Sequence, residues 1–278
     1  DKYTIDYFSF VDDKGYLHKN IEMNNEEIDK NFDCHHGCGI FEMTKLSVNI
    51  NKIATLRNAR GGNLPNVLKA AVDCQTFGAD GITVHPRPDQ RHITKKDAYE
   101  LRDVITTEYN IDGYPSKDFI KMVLDICPEQ VTLVPDAVDV ITSNCGWDTL
   151  KHTSFLKEVI SEFKESDIRT SIFVNPEVKI IEGAKLCGTD RIELYTEDYA
   201  AKFPVDQNQA ISPYLAAAKK ALEYNLEINA GHDLSLDNLR FFTNQINNVS
   251  EVSIGHALIS DAIYLGLENT IQMYKRLL

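Results

Sequence analysis

Positive charge is in short supply in this chain relative to negative charge. Its 278 residues carry 29 Lys and Arg against 42 Asp and Glu, a net charge of −13, so in bulk it repels nucleic acid and anionic membrane surfaces. An anionic ligand would have to find a local basic pocket. Long apolar runs are missing as well, since nothing approaches the roughly 20 residues of a membrane-spanning helix. The opening stretch Asp1-Lys2-Tyr3-Thr4-Ile5-Asp6 has no basic region followed by an apolar run. Nothing there resembles a secretory signal, and a cytoplasmic protein is the expectation. Cysteine is sparse: four of the six, Cys74, Cys127, Cys145 and Cys187, have no ligand-like spacing. That suits reduced, mostly buried thiols better than a disulfide framework. No internal repeat is visible.

What is present suits one large core. Hydrophobic residues at 43% and charged residues at 26% are ordinary for a globular protein, and α/β barrels commonly run to about 250 residues as one domain. From Lys45 onward, short β-branched runs alternate with segments of helical period. The runs lie at 46–51, 81–85, 109–114, 130–135, 169–175, 191–196, 226–230 and 249–255. Eight strand-like runs separated by helices predict a single-domain (β/α)₈ barrel over 44–278, with a doubly wound open sheet as the alternative.

Local punctuation supports the alternation. Pro65 can occupy the first turn of a helix with Leu64, Val67, Leu68, Ala71 and Val72 on one face, ending near Gly78. Thr94 and Asp97 form a capping-box pattern, Asn175-Pro176 opens a helix that stops near Gly188, and Ser116 and Ser235 read as further caps. The connections 136–148 and 197–212 are long and follow strand C-termini. One or both are expected to act as lids.

In such a barrel, chemistry sits at the C-terminal ends of the strands. Asn49 and Asn51 end the first run, His85 the second, Asp112 lies in the third, Thr142 follows the fourth, and Tyr195, His232 and His256 end the last three. A single histidine at a strand end is usually structural, but three at equivalent ends argue for chemistry. The segment His85-Pro86-Arg87-Pro88-Asp89-Gln90-Arg91-His92 reads either as a solvated charge cluster or as an anion site built from arginine forks. Arg57 and Arg60 could converge on the same mouth. Gly231-His232-Asp233 and Gly255-His256-Ala257 each open a helix, where exposed N–H groups favour phosphate. Two anion-binding regions with histidines and a carboxylate suit a reaction of phosphorylated substrates, an aldolase or a sugar-phosphate isomerase included.

Longer motifs narrow this. Val48-Asn49-Ile50-Asn51-Lys52-Ile53-Ala54-Thr55-Leu56-Arg57-Asn58-Ala59-Arg60-Gly61, then Gly78-Ala79-Asp80-Gly81-Ile82-Thr83-Val84-His85-Pro86-Arg87, Arg91-His92-Ile93, Asn229-Ala230-Gly231-His232 and Ile254-Gly255-His256-Ala257 resemble the signature segments of the pyridoxine 5′-phosphate synthase family. The resemblance spans 44–278. It implies a cofactor-free, metal-free condensation of 1-deoxy-D-xylulose 5-phosphate with 3-amino-2-oxopropyl phosphate to pyridoxine 5′-phosphate, phosphate and water. It also implies a homo-oligomer, with an octamer as the candidate assembly and 262–278 as a candidate contact.

By the same resemblance, His85 and Asp112 are proton acceptors and His232 a proton donor. Asn49, Asn51, Lys52, Arg60, Arg87, His92 and Thr142 fall on substrate-binding positions, mainly for the deoxyxylulose phosphate, and Asp233, Gly255 and His256 on those for the amino ketone phosphate. Three positions depart from the family pattern: Asp112 stands where glutamate is expected, Asn51-Lys52 where some members have Asp-His, and Asp233 where some have Gly. The competing readings are another sugar-phosphate barrel enzyme and a barrel that binds phosphate ligands without turnover. Residues 1–43 fall outside the resemblance, and Met43 reads as the usual family start, so the leading segment is expected to be an extension. Within it, Cys34-His35-His36-Gly37-Cys38 lacks familiar zinc spacing and is expected to be incidental.

Overall fold

The computed structural model describes residues 8–11, 17–21, 43–135, 145–246 and 248–278. The chain divides into two compact units, Asp1–Phe41 and Glu42–Leu278. In the first, β1 (Phe8–Val11) and β2 (Leu17–Ile21) pair antiparallel. The Cys34 to Cys38 cluster lies outside the described residues.

The second unit is a closed parallel barrel of eight strands. They are β3 (Lys45–Asn49), β4 (Gly81–Val84), β5 (Glu108–Gly113), β6 (Gln130–Leu133), β7 (Arg169–Val174), β8 (Arg191–Leu194), β9 (Glu227–Gly231) and β10 (Val249–Ile254), with β10 closing against β3. All eight runs read from the sequence are strands, and the (β/α)₈ expectation holds. Among the described residues no helix is long and apolar enough to cross a membrane.

Each barrel strand alternates between two environments. Leu46 and Val48, Ile82 and Val84, Tyr109 and Ile111, and Ile192 and Leu194 are fully buried and belong to the apolar core. The intervening residues are polar and line the barrel interior. The proof is contact between strands that are not neighbours: Arg191 on β8 reaches Gln130 on β6 at 3.0 Å and Glu108 on β5 at 3.6 Å, and Gln130 reaches Glu251 on β10 at 3.5 Å. Only the interior connects these strands. Arg191 also pairs with Glu227 at 2.6 Å, and Arg169 contacts Glu108. Lys45, Glu108, Arg169, Arg191 and Glu251 thus close the N-terminal end of the barrel as a charged plug, where barrels usually place layers of branched apolar residues. By the two-residue period, Asp112 and Glu193 face the same interior one or two layers nearer the mouth.

The helices lie outside. α1 (Asn51–Asn58) follows β3, and α2 (Val67–Thr76) is capped by Asn66, whose side chain accepts from Lys69 N at 2.8 Å. That corrects the expected start: Pro65 and the exposed Leu64 precede the helix rather than forming its first turn. α3 (Lys95–Arg102) carries the Thr94/Asp97 capping box, and α4 (Lys117–Ile126) is capped by Ser116. α5 (Thr153–Lys164) and α6 (Val178–Cys187) follow, the latter ending on Gly188 at φ 82°. α7 (Glu197–Lys202) and α8 (Gln207–Glu223) fill the connection expected to be a lid. That connection is a packed element, which leaves the other as the remaining lid candidate: Tyr199 is fully buried, sits 5.1 Å from the Phe242 ring and donates to Asn238 O at 2.7 Å. The other expected lid, 136–148, falls largely outside the described residues.

α9 (Leu239–Gln245) begins behind Asn238, so Ser235 is not its cap, and residues 232–238 form turns rather than a helix opening at Gly231. α10 (His256–Leu265) does start directly after Gly255, and Gly266 at φ 80° breaks the terminal segment into α10 and α11 (Leu267–Lys275). Cys74 and Cys187 are buried as expected, but Cys127 and Cys145 are exposed.

Candidate active site

Six strand ends bring the chemistry together. After β3, the chain turns so that Asn51 N donates to Asn49 Oδ1 at 3.1 Å, and the Asn51 side chain then accepts from His85 N at 2.9 Å. Two family motifs distant in sequence are thereby joined at the mouth. Asn51 is therefore the first residue of α1 rather than the end of a strand. Gly255 approaches from β10 so closely that a Cβ there would lie 3.0 Å from the Asn49 Cβ. Only glycine leaves that space open for backbone approach.

His85 is buried, and burial drives its pKa well below the ordinary 6.5, helped by the charges of Arg87, His92, Arg91 and His232. Its imidazole is neutral at neutral pH and able to accept a proton. The His92 ring meets it edge-on, 6.1 Å between centroids. Burial and the charges of Arg87, Lys52 and Arg91 bring His92 down to about 4, with Asp89 opposing. Within 85–92, Arg87 and Arg91 form a cationic wall, while Pro88, Asp89 and Gln90 are exposed and Arg91 pairs with Asp89 at 2.6 Å. Arg87 is buried within that wall. Arg57 does not join this wall: its guanidinium is spent on Asp97, through bonds of 2.6 and 2.8 Å. Arg60 is exposed beyond α1, and its side chain forms no hydrogen bond or ion pair among the described residues.

Inside the mouth a polar ladder runs from strand to strand. Ser47 and Thr83 hydroxyls meet at 2.7 Å, Asn110 Nδ2 donates to Asp112 Oδ1 at 2.9 Å, and Thr132 Oγ1 donates to Asn110 Oδ1 at 3.1 Å. The ladder orients Asp112, which is half-buried. Across the barrel stands Glu193, whose carboxyl is pushed from 4.5 up to about 7 by burial, against the opposing effects of His232 and a Thr132 hydrogen bond.

The reading from sequence missed this glutamate. Its signal was present in Arg191-Ile192-Glu193-Leu194, a carboxylate at the centre of a strand whose every residue is buried. His232 adopts φ 43°, an uncommon conformation for a non-glycine residue. Its Nδ1 lies 2.9 Å from Asp233 Oδ2, and its ring is 6.0 Å from that of Tyr195. Burial and Glu197 raise the Tyr195 hydroxyl, so it stays protonated and donates to Glu197. His256 is exposed at the first turn of α10. Thr142 lies outside the described residues.

These shifts carry a stability signature. Glu193 holds its proton more tightly in the folded chain than in the unfolded one. Between about pH 4.5 and 7 the unfolded state therefore binds fewer protons, and stability falls as pH rises through that window. Glu193→Gln is expected to flatten the fall, read from urea midpoints across pH 5 to 8. His85 acts in the opposite sense: its depressed pKa costs stability as pH drops below its unfolded value near 6.5. A Gln variant with the parent's pH dependence would show that Glu193 ionises normally.

Comparison with known proteins gives a consistent set of relatives. The sequence model of the family described as "Pyridoxal phosphate biosynthesis protein PdxJ" matches residues 46–278. A pyridoxine 5′-phosphate synthase of Flavobacterium johnsoniae is 62% identical over 232 residues, covering 84% of this chain and 98% of that protein. One from Bacteroides fragilis is 61% identical over 236 residues, 85% of this chain and 100% of that protein. Among solved structures, phosphoribosylanthranilate isomerase of Thermotoga maritima aligns with a TM-score of 0.54 at 15% identity, covering 84% of this chain and 98% of that one. A thiamine phosphate pyrophosphorylase of Pyrococcus furiosus has a TM-score of 0.54 at 11% identity, covering 84% and 94%. At such identities the two structures speak for the fold alone.

Proposed function

The chain belongs to the PdxJ family of pyridoxine 5′-phosphate synthases, and from that we propose that it condenses 1-deoxy-D-xylulose 5-phosphate with 3-amino-2-oxopropyl phosphate. The products are pyridoxine 5′-phosphate, phosphate and water. The observation that carries this reading is the convergence at one barrel mouth of a neutral buried histidine, a cationic wall and inward-facing carboxylates. Imine formation, enolisation and dehydration each move a proton, and groups held neutral near pH 7 can take or give one.

In this reading His85 and Asp112 accept protons and His232 donates one. Burial keeps His85 unprotonated and so available for the first role, the Asn110 hydrogen bond orients Asp112 for the second, and the Asp233 contact supports the third. Glu193, with its carboxyl near 7 and its charge sensed by His232, joins them as an exchangeable proton site. Asn49, Asn51, Lys52, Arg60, Arg87, His92 and Thr142 serve the ketose phosphate, and Asp233, Gly255 and His256 the amino ketone phosphate. Supplying both substrates and following ring formation tests the function. A rise in melting temperature with either phosphate but no ring would favour a binding protein instead.

The same reading makes the protein a cytoplasmic homo-oligomer, up to an octamer, acting on small phosphorylated substrates and not on nucleic acid. Leu56 on α1 and Ile263 and Tyr264 on the neighbouring α10 are large apolar side chains left exposed, which suits contact with a second copy. Tyr264→Lys is the substitution that would lower the mass seen by sedimentation. It further makes 44–278 the catalytic domain and 1–43 an extension. Removing 1–43 is expected to leave turnover and melting temperature nearly unchanged, because every element of the barrel lies downstream. Loss of soluble, active protein on truncation would refute that.

A further inference from the structure

We propose that the Arg57–Asp97 ion pair is a positioning device that holds His92 as a fixed Nε2–H donor at the mouth. The proposal rests on the reading above that His92 touches the ketose phosphate. Arg57 comes from α1 and Asp97 from the first turn of α3, and their side chains are 9% and 8% exposed. The guanidinium fork meets the carboxylate with two bonds, Nη1 to Oδ1 at 2.6 Å and Nη2 to Oδ2 at 2.8 Å. The same carboxylate accepts Thr94 N and Thr94 Oγ1, each at 2.8 Å, within the capping box. Burial alone would raise the Asp97 carboxyl, but the bonds from Arg57 and Thr94 hold it below its ordinary value. Arg57 and Asp97 are thus a charged, fully bonded pair, the arrangement in which buried ions keep one geometry.

What the pair grips is the backbone that carries His92. Arg57 Nη2 donates to His92 O at 3.3 Å. Arg57 Nε orients the neighbouring Asn58 by donating to its Oδ1 at 3.0 Å, and Asn58 Nδ2 donates to Arg91 O at 3.2 Å and His92 O at 2.8 Å. Behind His92, fully buried Ile93 anchors the chain. With its carbonyl held on one side and Thr94 on the other, His92 is left with its own Nδ1 accepting from Ile93 N at 2.9 Å. An imidazole whose Nδ1 accepts must carry its proton on Nε2 when neutral. His92 is neutral, because burial and the cations Arg87, Lys52 and Arg91 outweigh Asp89, with neutral His85 facing it. The outward nitrogen can therefore only donate, which suits a phosphate or hydroxyl oxygen and excludes His92 as a second base beside His85.

The test uses the full-length protein labelled with ¹⁵N and long-range proton–nitrogen spectra of its imidazoles, with His92→Gln to assign the signal. In the parent, His92 is expected to show one tautomer, unprotonated at Nδ1 and protonated at Nε2, unchanged from pH 8 to pH 5.5. Arg57→Met should mix the tautomers and let His92 take up a proton within that range. It should also raise KM for the ketose phosphate about tenfold while kcat stays within threefold. Arg57→Lys keeps the charge without the fork and should recover only part of the affinity. If Arg57→Met is too unstable to study, Asn58→Ala frees Arg91 O and removes one of the two bonds to His92 O without uncovering a buried charge, and should move both readouts in the same direction by a smaller amount. Parent-like tautomer and KM in these variants would overturn the proposal, as would activity that falls only in step with melting temperature while the His92 signal is unchanged. If His92→Gln binds the ketose phosphate as tightly as the parent, the contact assigned to His92 fails. The tautomer result then stands or falls by itself.

Discussion

Replacing His85 or His232 by asparagine is expected to lower turnover at least about a hundredfold, the usual contribution of a positioned acid or base, with the fold intact. Asparagine keeps a planar polar group in each place but cannot carry a proton between atoms. At position 85 the backbone N–H remains tied to Asn51 Oδ1, so the loop has no reason to move. At position 232 the residue sits at φ 43°, and asparagine is among the residues that tolerate this conformation best. A loss of activity there reads as lost proton transfer rather than a strained turn. Steady-state rates beside melting temperatures separate the two. Either variant turning over near the parent rate would remove that histidine from the chemistry.

The second large effect concerns Asp112, one methylene shorter than the glutamate the family leads one to expect. Asp112→Asn should abolish turnover while both phosphates still bind. The amide oxygen can still accept from Asn110 Nδ2, now 2.9 Å from Asp112 Oδ1, so shape and orientation persist and only proton acceptance is lost. Asp112→Glu should match or exceed the parent if reach limits the reaction, since misplacement by about 1 Å can cost around a hundredfold. Single-turnover ring formation with both substrates saturating decides this. An Asn variant as fast as the parent would assign the proton to another group, and Glu193 is the nearest alternative in character.

Much of the fold was legible because the strand runs announce themselves by β-branched content and some also by the caps that follow. The Thr94 capping box and the Ser116 cap form as read. What was not legible is which side of a strand a polar residue takes. Lys45-Leu46-Ser47-Val48-Asn49 and Glu108-Tyr109-Asn110-Ile111-Asp112 alternate with period two, and the sequence alone leaves open whether the polar face meets solvent or a barrel interior. Closure of the barrel decides it, through contacts such as Arg191 with Gln130 between strands far apart in the chain. Glu193 was missed for that reason.

Arg57 is a related case. In sequence it stands near Arg60 and could converge on the same mouth, while its partner Asp97 is 40 residues away. The connection 197–212 read as a long loop, yet it holds the six-residue α7 and the start of α8, and Tyr199, Phe203, Tyr214 and Phe242 pack it down. The histidines proposed to move protons were readable from motif and position. Their protonation was not, because it depends on burial and on cations brought together by folding.

The most direct measurement is product formation by the purified full-length chain given 1-deoxy-D-xylulose 5-phosphate and 3-amino-2-oxopropyl phosphate, with no added metal or cofactor. The expected result is pyridoxine 5′-phosphate appearing together with an equal amount of inorganic phosphate, and neither appearing when one substrate is withheld. Binding of both phosphates without ring formation, or release of phosphate from one substrate alone, would contradict the account.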